Sequence, residues 1–208
     1  MPSRSPAFLT TLAITGLLAV AALAPALLRA AAPAASTPAA SGMPMMGNMA
    51  SMPMTAPNIT AAIVVLTPTQ GNDVHGTIKF SKVAGGIRVV ADVTGLKPGL
   101  HGFHVHDYGD ITSNNADSAG GHFNPAHEIH GGPPAEHRNV GDLGNINADA
   151  SGHATIDYVN EKLAFEGPAS IIGRAVVIHA DPDDYNAQPG GNAGAKIAYG
   201  VIGIAKGP

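Results

Sequence analysis

The chain has 208 residues, enough for one domain and an extension, and it contains no cysteine, which excludes disulfides, thiolate metal sites and cysteine nucleophiles. Nine of the 11 Lys and Arg but all 15 Asp and Glu lie beyond residue 60, so that part carries −6 and argues against nucleic acid as a partner.

Residues 1–30 carry Arg4 near their start and an apolar stretch from Ala7 to Leu28, which runs into Arg29-Ala30-Ala31-Ala32. This is the pattern of a secretory signal peptide with small residues around a cleavage point. An uncleaved N-terminal membrane anchor is the alternative, because the apolar stretch is long. Either reading places the protein in an exported setting, periplasmic or extracellular. Residues 31–58 are Ala, Pro, Ser and Met with too little bulky apolar material for a core, so a disordered linker is expected. All methionines after Met1 fall here, at Met43, Met45, Met46, Met49, Met52 and Met54. Thioethers are soft ligands suited to Cu(I), so the tract reads either as an accessory copper-capture segment or as a Met-rich linker.

Residues 59–208 read as all-β. Ala61–Thr67 is a compact β-branched run. In Thr77–Ser81, Ile78 and Phe80 alternate with polar residues, and Ile87, Val89, Ala91 and Val93 alternate with Arg88, Val90, Asp92 and Thr94. Further strands are expected over Leu100–His106, Gly144–Ala148, His153–Asn160, Ile171–His179 and Ile197–Ala205. Eight short strands separated by turn residues predict a Greek-key barrel or sandwich. Two gaps, Asp107–Leu143 and Ala180–Lys196, are too long for turns and are rich in Gly, Asn and Asp, which marks them as functional loops on a rigid scaffold.

The candidate site residues cluster in and beside those loops. His104 and His106 are two apart on a strand and share a face, where their imidazoles can grip one ion. His122, His130 and Asp142 follow in the first loop, and His179 closes an apolar run before the second. His101 has the opposite parity and is expected to form structural hydrogen bonds, while His75, His127 and His153 are expected to be exposed.

The segment Gly99–Asp110 (GLHGFHVHDYGD), followed by SAGGHFNP, HGGP, VGDLGN, IIGRAVVIH and GNAGAKIAYGVIGIA, resembles the copper/zinc superoxide dismutase family in motif, order and spacing over essentially the whole domain. The resemblance implies copper and zinc as cofactors, superoxide as substrate and a homodimer. It also implies copper ligands His104, His106, His122 and His179, with His122 bridging to zinc. His130 and Asp142 match zinc ligands, and Asp183 matches an aspartate that links ligands of the two metals. The mechanism it implies is copper redox cycling, with His122 carrying a proton to the reduced product and Lys196 guiding the anion.

Three positions depart from the family pattern. Asn139 stands where a third zinc histidine is expected, and an amide oxygen is a poorer zinc ligand than imidazole. The fourth zinc ligand is left open between His137, swinging in, and Asn139 itself, with a weak or water-completed site of His122, His130 and Asp142 and a copper-only protein as the other outcomes. Ala116 and Tyr199 occupy the positions of the family's disulfide. Lys196 replaces an arginine, keeping the charge but losing the planar fork. These departures keep a second reading in view, an exported copper-binding or copper-delivery protein on the same scaffold.

Overall fold

The structure, a computed structural model, describes residues 58–207. The signal or anchor segment, nearly all of the linker and the six methionines of the tract lie outside the described residues. Among the described residues nine strands form in chain order: β1 (Ala61–Pro68), β2 (His75–Val83), β3 (Gly86–Thr94), β4 (Gly99–His106), β5 (Asp142–Ala148), β6 (Ala154–Asn160), β7 (Ala175–His179), β8 (Lys196–Val201) and the short β9 (Gly203–Ile204). All named strand pairings are antiparallel, and the strands run β5-β4-β7-β8-β1-β2-β3-β6, with β9 pairing β1. The two ends of that order meet across a seam where the Tyr158 hydroxyl donates to the Leu143 carbonyl at 3.2 Å, giving a nearly closed eight-strand barrel.

Alternation determines which face of each strand turns inward. Ile78 and Phe80 of β2 and Ile87, Val89, Ala91 and Val93 of β3 are buried, while Lys79, Arg88 and Asp92 between them are exposed. Phe103, Val105, Ile146, Val176 and Ile178 extend the same core into β4, β5 and β7. Among the described residues no helix is long and apolar enough to cross a membrane.

Most boundaries shift by one or two residues from the sequence reading, β5 starting at Asp142 rather than Gly144, and two differ more. The strand expected from Ile171 begins only at Ala175, because Gly173 adopts φ 78° and the Arg174 amide turns back to the Ile171 carbonyl. The last strand divides at Ile202, whose side chain is buried and whose amide pairs with the Arg174 carbonyl instead.

Both long loops are sewn onto the end of β4. The Phe123 amide donates to the Val105 carbonyl, the Gly141 amide to the Phe123 carbonyl and the Val105 amide to the Gly141 carbonyl, each at 2.8 Å. This lays the His122 segment alongside His106. The second loop returns through Gly102 N to Asp181 O at 2.9 Å and Asp181 N to Ala193 O at 2.9 Å.

Candidate metal centre

Two donor groups result, one of His104, His106, His122 and His179 and one of His122, His130 and Asp142, each with its ligand atoms within 4.8 Å of one another. They share His122, which bridges the loop and the barrel. The His104 ring stacks on His122 with centroids 3.9 Å apart, and the His104 and His179 rings meet edge-on at 5.0 Å. Of the five histidines four are buried, and only His122 is half-buried.

Outer contacts choose which nitrogen each ring offers. His106 Nδ1 donates to the Gly120 carbonyl at 2.8 Å and His179 Nδ1 to the Gly194 carbonyl at 3.2 Å, so both present Nε2 lone pairs. His104 is reversed, because its Nε2 donates to Asp183 Oδ2 at 3.0 Å and leaves Nδ1 free. These three atoms, His104 Nδ1, His106 Nε2 and His179 Nε2, are buried and have no hydrogen-bond partner. Three orphaned lone pairs aimed into one group cost stability unless a cation takes them, so the donor set fits a bound metal. Burial first, and then repulsion among neighbouring rings, takes the proton affinity of His179 down to about 3 and that of His106 well below its ordinary value. His106 and His179, held unprotonated, are ready for ligation across the physiological range.

The second group is acidic in character. Asp142 Oδ1 lies 3.0 Å from His122 Nδ1 and 3.1 Å from His130 Nδ1. The His130 contact lacks donor-to-acceptor alignment, as expected when both atoms point at a common third position. Asp142 Oδ2 accepts from the Gly131 amide at 2.9 Å and the Asn139 amide at 3.2 Å. For both Asp142 and Asp183 burial opposes the charge most strongly, but histidine contacts prevail and hold each carboxyl well below its usual range.

Asp183 joins the two groups, with Oδ2 on His104 and Oδ1 3.0 Å from His130 Nε2. It is buried and pinned by Asn145, whose Oδ1 accepts from the Asp183 amide at 2.7 Å and whose Nδ2 donates to the Asp183 carbonyl at 3.0 Å. Gly191 makes this approach possible, since a Cβ there would run into Asp183 Oδ1 and its φ of 71° favours glycine.

His137 is not brought in. Its ring is 72% exposed and lies 3.4 Å from Glu128 Oε2. The neighbouring residues explain this: the Arg138 guanidinium is buried, donating to the Ala135 carbonyl at 2.8 Å and Glu161 Oε1 at 3.0 Å, while Asn139 is tied to Asp142, so the backbone leaves His137 facing solvent. Lys196 Nζ donates to Asp117 Oδ1 at 2.6 Å, so the sequence-predicted guidance cation carries an acidic partner. His101 lies on the opposite face of β4, with Nδ1 on the His179 carbonyl and Nε2 on the Lys97 carbonyl, each at 2.8 Å. His75 and His153 face Asp73 at 3.1 Å and Asp92 at 3.0 Å on the surface. The sequence reading did not single out Gln188, Asn145 or Arg138. Gln188 clamps His130 by donating to its carbonyl at 2.9 Å and accepting from its amide at 3.0 Å. Only fold-level proximity marks such residues.

A nearly closed antiparallel barrel whose loops bring a four-histidine group and a His-His-Asp group onto one shared imidazole defines a dinuclear metalloprotein. The profile of the copper/zinc superoxide dismutase family matches residues 74–202, and the chain belongs to that family. It is 46% identical over 159 residues to an extracellular superoxide dismutase [Cu-Zn] of Brugia pahangi, covering 72% of this chain and 79% of that one. A crystal structure of the clock protein EA4 superposes with a TM-score of 0.66 at 44% identity, covering 71% of this chain and 96% of that one.

Proposed function

We propose that, in this copper-dependent superoxide dismutase, His104 Nδ1, His106 Nε2, His179 Nε2 and His122 hold copper, and that His122 Nδ1, His130 Nδ1 and Asp142 hold zinc. The observation that carries this assignment is the set of three buried, partnerless nitrogens facing the shared His122 ring. Bound copper supplies a one-electron couple that takes an electron from one superoxide and returns it to another, yielding oxygen and hydrogen peroxide. His122, the least buried of the five histidines, carries the proton that the product requires. Asp142 fixes the orientation of that ring from the far side. Asp183 keeps His104 in the tautomer that ligation needs and sets its other oxygen 3.0 Å from His130 Nε2. Lys196 supplies positive charge to a domain that is net negative, drawing in the anion.

Residues 1–30 direct export and 31–58 tether the domain at 59–208, a reading supported by the apolar and low-complexity composition of those segments. Export also accords with the extracellular name of the Brugia pahangi relative. Exposed Tyr108, Ile111 and Val201 offer apolar surface for a homodimer. Burial of the copper group on β4 and β7 favours a resident cofactor over a site that hands its metal on.

The test is dismutation by residues 61–208 reconstituted with copper alone and with copper plus zinc, with bound metals counted on the same samples. Copper-dependent turnover that disappears in His106→Ala is expected. Tight copper binding without turnover would instead restore the delivery reading.

A further inference from the structure

Asn139 is 3% exposed, yet its side-chain oxygen meets no donor. Its Nδ2 lies 3.3 Å from Asp142 Oδ1, the same atom that His122 Nδ1 and His130 Nδ1 approach at 3.0 and 3.1 Å. Four donors bound tetrahedrally at about 2.0–2.1 Å stand about 3.3–3.4 Å apart along each edge. Three groups of this chain therefore surround Asp142 Oδ1 at close to the edge length of a coordination tetrahedron, and the third is an amide.

The two ends of an amide are interchangeable in shape, and the hydrogen-bond environment decides which way round it sits. Facing a bare carboxylate, the NH2 end is preferred because it donates. A cation held by His122, His130 and Asp142 reverses that preference, since it attracts the carbonyl dipole and repels the NH2. Turning the amide about its last torsion carries Oδ1 to the position beside Asp142 Oδ1 without moving the backbone, which the Asn139 amide's bond to Asp142 Oδ2 and the Asp142 amide's bond to the Asn139 carbonyl, both 3.2 Å, hold in place.

We propose that Asn139 is the fourth ligand of the second metal, through its side-chain oxygen. This rests on the reading of His122, His130 and Asp142 as a metal site. The donor set becomes two imidazoles and two oxygens, harder than three imidazoles and one carboxylate. Such a site holds zinc less tightly and discriminates less sharply against divalent cations that favour oxygen. The exposed His137 takes no part.

Co(II) is the probe, because its visible absorption reports coordination number and donor type independently of catalysis. The copper-loaded chain is titrated with Co(II), and its variants are compared at matched thermal stability. Asn139→Ala is expected to weaken Co(II) by about tenfold or more and to lower the tetrahedral absorption as water enters. Asn139→Asp, which keeps an oxygen at that point, is expected to bind at least as tightly as the parent. His137→Ala is expected to change neither quantity. If Asn139 were only a donor bracing Asp142, Asn139→Asp would weaken binding by placing two carboxylates together, and that result overturns the proposal. So does unchanged binding in Asn139→Ala. If His130→Ala leaves Co(II) binding intact, the metal is elsewhere and the underlying site reading fails instead.

Discussion

Tyr199 and Ala116 stand where the resemblance places a disulfide, and the structure puts both in one small buried cluster with Ala119, Ala175 and Val177. The Tyr199 hydroxyl donates towards the Ser113 carbonyl at 3.2 Å and the Ile111 carbonyl at 3.4 Å, which makes the ring a clasp between β8 and the first loop. The two contributions separate by magnitude. Both hydroxyl contacts are long for O–H···O bonds and reach a partly exposed loop where water can replace them, so Tyr199→Phe should cost only about 0.5 kcal/mol. Tyr199→Ala removes a buried ring from a pocket of small side chains that cannot close over the space, which points to about 4 kcal/mol. A cross-link between 116 and 199 closes a loop of 84 residues, worth roughly 4.5 kcal/mol in the chain-entropy model. The double variant Ala116→Cys/Tyr199→Cys gains that cross-link and loses the ring, so its oxidised form should lie within about 1 kcal/mol of the parent and its reduced form about 4 kcal/mol below. Denaturant unfolding of the metal-free domains, with and without reductant, reads all four values. At about 2–4 °C per kcal/mol, Tyr199→Ala should also lower Tm by roughly 8–16 °C. Equal losses in Tyr199→Phe and Tyr199→Ala, or an oxidised double variant several kcal/mol above the parent, would refute the idea that ring packing has taken over from the disulfide.

Asp117→Asn should free Lys196 from its acidic partner, raising kcat/KM by about two- to fivefold at low ionic strength and steepening its fall with added salt. Lys196→Gln should do the reverse, and salt profiles that coincide in the two variants would dismiss Lys196 as a guide. Burial pushes the Tyr158 hydroxyl up to about 12, while the unfolded chain ionises near 10. Its contribution is thus complete below pH 10 and is lost as pH rises to 12, by about 2–3 kcal/mol, a decline that Tyr158→Phe should lack in unfolding midpoints measured over that window. Gln188→Ala should weaken zinc by about tenfold and copper much less, because its clamp holds His130 directly and reaches the copper group only through Asp183; competition against a chelator measures both. Deleting Met43–Met54 should slow copper loading at limiting Cu(I) if the tract captures the ion, and loading indistinguishable from the full chain would leave it a linker.

The strands were legible because each carries its own signal. Ile78 and Phe80, or Ile87 through Val93, alternate in burial as they alternate in sequence, and parity alone separated His104 and His106 from His101. The spacing of His122, His130, Asp142 and His179 was legible only through family resemblance, since nothing local says that residues 57 apart, 122 and 179, come to one point. Of the outer layer, the resemblance supplied Asp183 but not its backbone-carbonyl counterparts or the ring nitrogens they select. His104 offers Nδ1 while His106 and His179 offer Nε2, and the difference arises from Asp183 on one ring and the Gly120 and Gly194 carbonyls on the others. The misplaced His137 has the same origin: proximity in sequence suggested it, but the inward anchoring of Arg138 turns it out.

That outer layer also explains why the two metal groups should not be treated as independent. Asp183 holds one ring of each, Asn145 holds Asp183, and the shared His122 is oriented by Asp142. A change at Asn139 therefore reaches the copper group by two routes, through Asp142 to His122 and through His130 to Asp183. Because each link is a hydrogen bond or close charged contact at about 3 Å in a buried setting, loosening the second group should alter how firmly His122 and His104 are aimed before it alters the strands that carry them. The first consequence of the unusual ligand set would then be a copper group with softer geometry on an intact barrel.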